Sequence, residues 1–259
     1  MSNNIELDKF YTPKETAKKC INVFNDTFLN VVEIIEPSAG NGIFSLQIPN
    51  CIAYDLEPEH ESIIKQDFLK LDLPYKQGRA FIGNPPFGDR NNLSRSFYKH
   101  ACKMADMIGF ILPIGLLNNN DSLYEFDLVK SIDLGEMEYS GMKVHCCFNL
   151  YHRPRNGKLN KKPNYKIDWI KIYREDQKEH ENCNFDLCVF RRGASIGKEK
   201  LINQHTQTYK IVVKDKTKVD FVKETILNFD WLGCKDYCSS PYITKNDIWK
   251  LFQHVQPQQ

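Results

Sequence analysis

The 259-residue chain has no hydrophobic run as long as the ~18–20 residues that a membrane-spanning helix needs. Its first residues, 1–4, do not begin a signal peptide. The sequence also has no internal repeat and no low-complexity tract, and its 13 glycines and 12 prolines are too few for a disordered or fibrous chain. We therefore expect a folded, cytoplasmic protein with no membrane partner.

The nine cysteines lack the pattern of a disulfide framework and that of a structural zinc site. Nine is an odd number, and several cysteines, such as Cys51, lie in apolar runs typical of strands. The spacings Cys183-x4-Cys188 and Cys234-x3-Cys238 differ from the C-x2-C of structural zinc. We expect reduced, buried cysteines, no disulfide and no metal.

The net charge of +2 is divided unevenly along the chain. Residues 1–151 carry 14 Lys and Arg against 20 Asp and Glu, a net of −6, and residues 152–259 carry 21 against 13, a net of +8. A basic region is a candidate for binding a polyanion, although a solvated lysine-rich surface explains the excess equally well. Because segment 154–163 is polar and basic, with glycine and proline, we place a domain boundary there and predict domains 1–153 and 154–259.

Strand-like and helix-like segments alternate along the first domain. We expect strands near residues 31–36, 51–55, 63–68, 79–82, 107–112 and 143–151. We expect helices over about 12–28, 93–106 and 122–129. This alternation predicts an α/β fold with a mostly parallel sheet. Short β-like runs near 169–173, 185–190 and 209–213, and a last helix starting at 244–247, predict a small α+β region beyond residue 154.

A glycine-rich segment, residues 37–42, directly follows the first predicted strand. Small residues let the backbone approach a ligand closely, and a turn between a strand and a helix is where α/β sheets bind nucleotide-like cofactors. The segment has neither the G-x-G-x-x-G pattern nor the lysine of a phosphate-binding P-loop. A cofactor without phosphates therefore fits it better than a dinucleotide or a nucleotide.

Acidic residues end the second and third predicted strands. Asp55 can accept hydrogen bonds from both hydroxyls of a ribose, and Glu57 is the alternative for this role. Asp67 can accept from the amino group of an adenine while Phe68 packs on its ring, although an acid in an ordinary turn is equally consistent with this position.

The segment Gly83-Asn84-Pro85-Pro86-Phe87 follows the strand near 79–82. An exocyclic amine of a nucleobase is a poor nucleophile because its lone pair is delocalised into the ring. The side-chain oxygen of Asn84 and the carbonyl of Pro85 can accept from the amine and localise that pair. Phe87 offers a face for base stacking, worth about 1–3 kcal/mol. We interpret the segment as a methyl-transfer site, although an isolated Asn-Pro-Pro is more often a simple turn.

The loop 191–198 is the candidate for DNA contact in the basic region. Arg191, Arg192 and Lys198 accompany two glycines there, and such a loop suits a position against a sugar–phosphate backbone.

Taken together, the motifs resemble those of S-adenosylmethionine-dependent DNA adenine-N6 methyltransferases, in particular the gamma group. They occur in the order seen in that family, and the likeness covers about residues 8–152. The motifs are Phe10-Tyr11-Thr12-Pro13, Glu36-Pro37-Ser38-Ala39-Gly40-Asn41-Gly42, Asp55-Leu56-Glu57-Pro58, Asp67-Phe68 and Asn84-Pro85-Pro86-Phe87.

The resemblance implies a Rossmann-like seven-stranded sheet with a reversed hairpin at its edge, and a target-recognition region at the C-terminal end. It implies S-adenosyl-L-methionine as the cofactor, with the residues bordering its methionine part being Tyr11, Thr12, Glu36, Ser38 and Gly40. It further implies that Asp55 binds the ribose and that Asp67 and Phe68 contact the adenine. The target base would be held by Asn84, Pro85, Pro86 and Phe87, with Tyr151 stacking on its other face.

The expected reaction is direct transfer of the methyl group to the N6 amine of an adenine flipped out of double-stranded DNA. The resemblance places the protein with nucleoid or viral DNA and leaves open a cognate restriction endonuclease as a partner. Three alternatives remain: an RNA adenine or guanine methyltransferase, a glutamine or cytosine methyltransferase, and a non-catalytic nucleic-acid-binding protein that kept the fold.

Overall fold

A computed structural model of the chain describes residues 11–139, 142–192, 195–200, 207–231 and 242–254. The chain forms two compact units, residues 1–162 and 163–259. The domain boundary predicted from the sequence, after Arg153, lies before the division at residue 162. Cys234 and Cys238 lie outside the described residues.

The N-terminal unit contains seven described strands and two described α-helices. In chain order they are α1 (Lys14–Thr27), β1 (Glu33–Glu36), β2 (Ile52–Asp55), β3 (Ile64–Lys65), β4 (Arg79–Gly83), α2 (Asn92–Met104), β5 (Met107–Pro113), β6 (Asp127–Tyr139) and β7 (Met142–His152). Short 3-10 helices lie at Ser45–Gln47, Phe68–Lys70, Asp89–Asn91 and Ile114–Leu116.

The seven strands form one sheet in the order β3-β2-β1-β4-β5-β7-β6. Strands β1 to β5 pair in parallel, whereas β7 runs antiparallel to both β5 and β6. The predicted α/β fold and the seven-stranded sheet with a reversed hairpin at its edge are therefore confirmed. Between β1 and β2 the described chain has one 3-10 turn and no α-helix, which agrees with the short segment there.

The centre of the sheet is buried on both faces because side chains of β4 and β5 alternate between two hydrophobic clusters. Phe81 packs in the cluster that contains α2, and Ile82, its neighbour in β4, packs in the cluster that contains α1. Gly109 in β5 lets α1 approach closely, since a Cβ at that position would lie 2.8 Å from the ring of Phe24. The two-sided burial explains the continuous apolar runs of these strands.

The helix predicted over 122–129 is wrong. Residues 121–126 form bends, and strand β6 begins at Asp127. Leu123 and Phe126 have helical spacing, but both are buried because this segment crosses α2: the Tyr98 hydroxyl donates to the Leu123 carbonyl at 3.0 Å and accepts from the Phe126 N–H at 2.9 Å. The residues from Asp127 onward pair with β7, and this pairing overrides their local preference for a helix.

The C-terminal unit is the small α+β region that the sequence predicts. Its described elements are β8 (Ile170–Arg174), α3 (Lys178–Asn182), β9 (Leu187–Phe190), β10 (Thr208–Val213), a 3-10 turn (Lys216–Lys218), α4 (Val219–Asn228) and α5 (Lys245–His254). The strands form an antiparallel sheet in the order β8-β10-β9, and the predicted last helix is confirmed. No described helix in either unit is long and apolar enough to cross a membrane.

Arg153, at the end of β7, ties together several segments of the N-terminal unit. Its Nε donates to Asp106 Oδ1 at 3.1 Å, and its Nη2 donates to the Ala105 carbonyl at 2.8 Å. The guanidinium lies 4.8 Å from the ring centroid of Tyr75 and 5.0 Å from that of Phe126. Since both ionic side chains are nearly buried, at 11% and 12% exposure, loss of one would leave the other charge without its partner.

Arg153→Ala should lower the free energy of unfolding by about 3–5 kcal/mol because it leaves the Asp106 carboxylate buried and unpaired. Urea denaturation followed by circular dichroism measures this. Arg155→Ala removes the same charge from an exposed position and should change stability by less than about 0.5 kcal/mol. Equal stabilities of the two variants would refute a structural role for Arg153.

Candidate functional site

A cavity of about 260 Å³ opens at the carboxyl ends of β1, β2 and β4. Since β1 lies between β2 and β4, this is the point where the strand order reverses, the usual place for a ligand in an open α/β sheet. The cavity brings together eleven of the predicted site residues: Tyr11, Thr12, Glu36, Ser38, Gly40, Asp55, Asp67, Phe68, Asn84, Pro85 and Pro86.

The carboxylate of Asp55 holds the glycine-rich loop in place. Its Oδ2 accepts from the Gly40 N–H at 2.7 Å, and its Oδ1 accepts from the Glu57 N–H at 2.8 Å. Gly40 has φ +55°, a left-handed conformation that favours glycine. Each carboxylate oxygen has a second lone pair, so Asp55 can accept hydrogen bonds from two further hydroxyl groups.

Glu36, the last residue of β1, is a buried acid at the cavity, with 1% of its surface exposed. Its Oε2 accepts from the Ser45 N–H at 2.7 Å. Burial raises the pKa of Glu36 from its usual 4.5 to about 8, although the hydrogen bonds from Ser45 and Phe44 oppose the shift. A cation bound beside this carboxyl group would favour its ionised form.

Thr12 and Ser38 connect the Asn-Pro-Pro segment to two other segments. The Asn84 side-chain amide donates to the Thr12 hydroxyl at 3.1 Å, and the Ser38 hydroxyl donates to the Asn84 carbonyl at 3.3 Å. Helix α1 begins at Lys14 without a side-chain cap, so Thr12 does not cap it. The Thr12 hydroxyl instead orients the amide of Asn84, which lines the cavity.

Asp67 and Phe68 follow strand β3, which is shorter than the strand predicted near 63–68. Asp67 Oδ1 accepts from the Leu69 N–H at 3.0 Å, and its other oxygen lies 3.3 Å from the Lys70 ammonium. Phe68 is buried, with its ring centroid 5.1 Å from that of Phe97, yet both side chains reach the cavity. This side of the cavity is suited to a ligand that has a flat ring and a polar edge.

Phe87 and Tyr151 are predicted site residues that the structure does not bring to the cavity. Phe87 is half-buried and packs with the α1-side cluster, and its carbonyl accepts from the Leu93 N–H at 3.1 Å. Tyr151 is fully buried in the α2-side cluster, with its ring 4.9 Å from that of Tyr98. Residues 146–151 of β7 are all buried, and the alternation of side chains directs Tyr151 into the α2-side cluster, so this position does not support its assignment as a stacking residue.

Several apolar residues of the cavity were not identified from the sequence. Leu93 and Phe97 of α2 line it, and their i, i+4 spacing immediately after the Asn-Pro-Pro segment is the signal that could have indicated them. The other apolar residues are Ile43, Phe44, Leu69 and Leu56, of which Leu56 lies in the motif Asp55-Leu56-Glu57-Pro58 but had no assigned role. The polar residue Gln66 also lines the cavity.

In the C-terminal unit the three predicted basic residues differ in their surroundings. Arg191 is largely buried, with 11% of its side chain exposed, and its Nε donates to both carboxylate oxygens of Glu175 at 2.9 Å. The ion pair with Glu175 raises the pKa of Arg191 and lowers that of Glu175, in the latter case against the effect of burial. Arg192 and Lys198 are exposed.

The chain is similar to two curated proteins of Haemophilus influenzae, the type II methyltransferases M.HincII and M.HindII. It is 32% identical to each over 102 residues, which is 36% of this chain. The aligned part spans about a fifth of either relative, 20% and 19%. The resemblance to DNA methyltransferases drawn from the motifs is thus confirmed for this part of the chain. No protein-family model matches the chain.

Solved structures of methyltransferases are similar to the chain in outline. One is a protein proposed to be an RNA methyltransferase, from Pyrococcus horikoshii (TM-score 0.47, 13% identity, 59% of this chain and 90% of that one). Another is the N-methyltransferase NodS of Bradyrhizobium japonicum with S-adenosyl-L-homocysteine (TM-score 0.43, 11% identity, 60% and 94%). At these sequence identities and TM-scores, the similarity does not indicate the substrate of this chain.

The pKa of Glu36 predicts how stability depends on pH. Between pH 4.5 and about 8 the folded chain keeps a proton that the unfolded chain has lost, so the Glu36 contribution should fall as pH rises through this window and level off above it. The loss should be a few kcal/mol, at about 1.4 kcal/mol per pKa unit.

Glu36→Gln should remove this contribution because the amide keeps the shape of the side chain and does not ionise. Urea unfolding of both proteins between pH 5 and 9 measures the difference, with Glu15→Gln on the exposed side of α1 as the control. A Glu36→Gln variant whose stability follows the wild type at every pH would contradict the assignment.

Proposed function

We propose that the N-terminal unit is a DNA methyltransferase domain that binds S-adenosyl-L-methionine and methylates the N6 amine of adenine. The observation that carries this proposal is the shared cavity, because it places Asn84 and Pro85 beside Asp55 and Asp67 at the reversal of the strand order. The similarity to the two type II methyltransferases supports methyl transfer to DNA.

The residues of the cavity fit the proposed cofactor. The remaining lone pairs of Asp55 suit a ribose, and the apolar rings of Phe68 and Phe97 beside Asp67 suit an adenine. The raised pKa of Glu36 marks a carboxyl group whose ionised form a nearby cation would stabilise, and S-adenosyl-L-methionine carries both an ammonium and a sulfonium. The bound cofactor supplies a methyl group on a positively charged sulfur.

The protein's contribution to transfer is to position and to polarise the amine of the target base. Asn84 and the Pro85 carbonyl accept hydrogen bonds from the amine, which keeps its lone pair available for bond formation. Thr12 and Ser38 fix the Asn84 segment, so these acceptors are in place before the base arrives. Formation of the C–N bond would be matched by breakage of the methyl–sulfur bond, which would leave a neutral thioether. The proton of the methylated amine would then pass to water, so no strongly basic residue is needed for the attack.

The DNA itself is proposed to lie on the C-terminal unit. Arg192 and Lys198 are exposed and suited to phosphate contacts, whereas Arg191 is already bound to Glu175. The excess of basic residues beyond residue 152 supports this placement.

The direct test is incubation of the protein with isotopically labelled S-adenosyl-L-methionine and with DNA or RNA, followed by mass spectrometry of the nucleosides. We expect label in N6-methyladenine from DNA. Asn84→Ala should reduce the rate by at least about 10²–10³-fold, by analogy with the loss of one transition-state hydrogen bond. Its affinity for the cofactor should stay near that of the wild type.

Asn92→Ala is the matched control, since Asn92 is an exposed asparagine outside the cavity, at the start of α2. It should retain wild-type activity. Label in methylcytosine or only in RNA would exclude the adenine-in-DNA proposal, and normal turnover by Asn84→Ala would exclude the assigned site.

Asp55→Ala should weaken binding of S-adenosyl-L-methionine. The lost hydrogen bonds to a charged group are worth about 1.5–3 kcal/mol, and the Gly40 and Glu57 N–H groups lose their acceptor as well. Isothermal titration calorimetry measures the effect, with Glu57→Ala as the comparison. If Glu57→Ala weakens binding and Asp55→Ala does not, the ribose role belongs to Glu57.

A further inference from the structure

The C-terminal unit contains a second, open cavity of about 380 Å³ with a basic lining. It is formed by the end of β8, the residues after β9, and the start of α5. Of its residues, the sequence indicated only Arg191 and Arg192 as candidate binding residues. The lining consists of Arg174, Gln177, Arg191, Arg192, Tyr209, Tyr242, Thr244, Lys245 and Asn246.

Two of its four cations are neutralised by carboxylates outside the lining. The Arg174 guanidinium is paired with Asp176, and that of Arg191 is paired with Glu175. These two pairs contribute little net charge to the cavity.

The other two cations, Arg192 and Lys245, form no ion pair with any residue that the structure describes. The Arg192 guanidinium lies 5.8 Å from the ring centroid of Tyr242, and the Lys245 ammonium donates to the neutral Gln177 side chain at 2.7 Å. The cavity therefore presents two positive charges without a carboxylate partner in this part of the chain.

The surroundings of Lys245 favour an anion. Burial lowers its pKa and the charge of Arg174 lowers it further, while the carboxylates of Asp176 and Glu179 oppose the shift without forming an ion pair with Lys245 among the described residues. Lys245 also opens α5, whose N-terminal end carries partial positive charge. The nearby carboxylate of Asp247 is occupied, since it accepts from the Thr244 N–H at 2.7 Å and from the Thr244 hydroxyl at 2.8 Å.

The volume of the cavity and its aromatic wall indicate a ligand that is larger than an isolated anion. A volume of about 380 Å³ lies within the range of about 300–1,000 Å³ found for small-ligand sites. The side chain of Tyr242 is half exposed and offers a ring beside the Arg192 guanidinium, in the same cavity as Lys245. An anionic group joined to a flat ring matches this arrangement.

We propose that this cavity binds one nucleotide of the DNA strand, with its phosphate against Arg192 and Lys245 and its base or sugar against the ring of Tyr242. The inference rests on the proposed function, in which the C-terminal unit holds DNA. Arg174 and Arg191 act as positioning residues through their ion pairs with Asp176 and Glu175.

The test is binding of a fluorescein-labelled DNA duplex by Arg192→Ala and Lys245→Ala, followed by fluorescence anisotropy between about 50 and 200 mM salt. Each variant should bind about tenfold more weakly at the low-salt end because a charge-assisted hydrogen bond to phosphate is lost. The slope of log affinity against log salt should fall by about 0.9 for each lost contact. Tyr242→Ala should weaken binding at all salt concentrations, and Tyr242→Phe should not.

Lys250→Ala is the matched control, because Lys250 is an exposed lysine of the same helix outside the cavity. Thermal unfolding followed by tryptophan fluorescence shows whether each variant is folded, since all three tryptophans, at 169, 231 and 249, lie in this unit. If folded Arg192→Ala and Lys245→Ala variants keep the affinity and the salt slope of Lys250→Ala, the cavity does not bind DNA phosphate.

These outcomes are separate from those that test methyl transfer. A wild-type protein that methylates adenine while both cavity variants keep normal DNA affinity would overturn only the cavity proposal. A wild-type protein that binds DNA through the cavity but transfers no methyl group would support the cavity and overturn the proposed function.

Discussion

Parallel pairing of β1 with both β2 and β4 is the constraint on which the candidate site depends. It brings the carboxyl ends of three strands to one edge of the sheet, although the residues there are separated by tens of positions along the chain. The pairing is stable because β4 and β5 are buried on both faces, between α1 and α2. A change that loosened this packing would therefore separate Asp55 from Asn84, even though neither residue belongs to the core.

The acids of the cavity are held by backbone N–H groups. Asp55 accepts from Gly40, Glu36 accepts from Ser45, and Asp67 accepts from Leu69. These bonds fix the carboxylates before any ligand arrives, so less conformational entropy is lost on binding. Burial disfavours the ionised form of Glu36, in contrast to these hydrogen bonds, and raises the pKa of this carboxyl group to about 8. One acid is therefore poised to respond to a bound cation at neutral pH.

In the C-terminal unit, the number of basic residues in the sequence is larger than the number of positive charges that are available to a ligand. Around its cavity, Arg174 is neutralised by a carboxylate two positions away in the chain and Arg191 by one sixteen positions away, whereas Arg192 has no carboxylate partner among the described residues. Arg191 and Arg192 directly follow β9, and adjacent side chains of an extended segment point to opposite sides, which explains why the two arginines have different surroundings. Only the pairing in the folded unit distinguishes a structural arginine from one that can meet a phosphate.

The sequence by itself determined the α/β class, the order of the motifs and most of the cavity. Residues such as Gly40, Asp55 and Asn84 could be placed because they end predicted strands or lie in the segments that directly follow them, and parallel strands bring such ends together. The tertiary structure decided the rest. Phe126 belongs to a bend and not to a helix because the segment is bonded to Tyr98, and Tyr151 is in the core because both faces of the sheet are covered at this part of β7. Long-range contacts settled these positions, and local pattern does not encode long-range contacts.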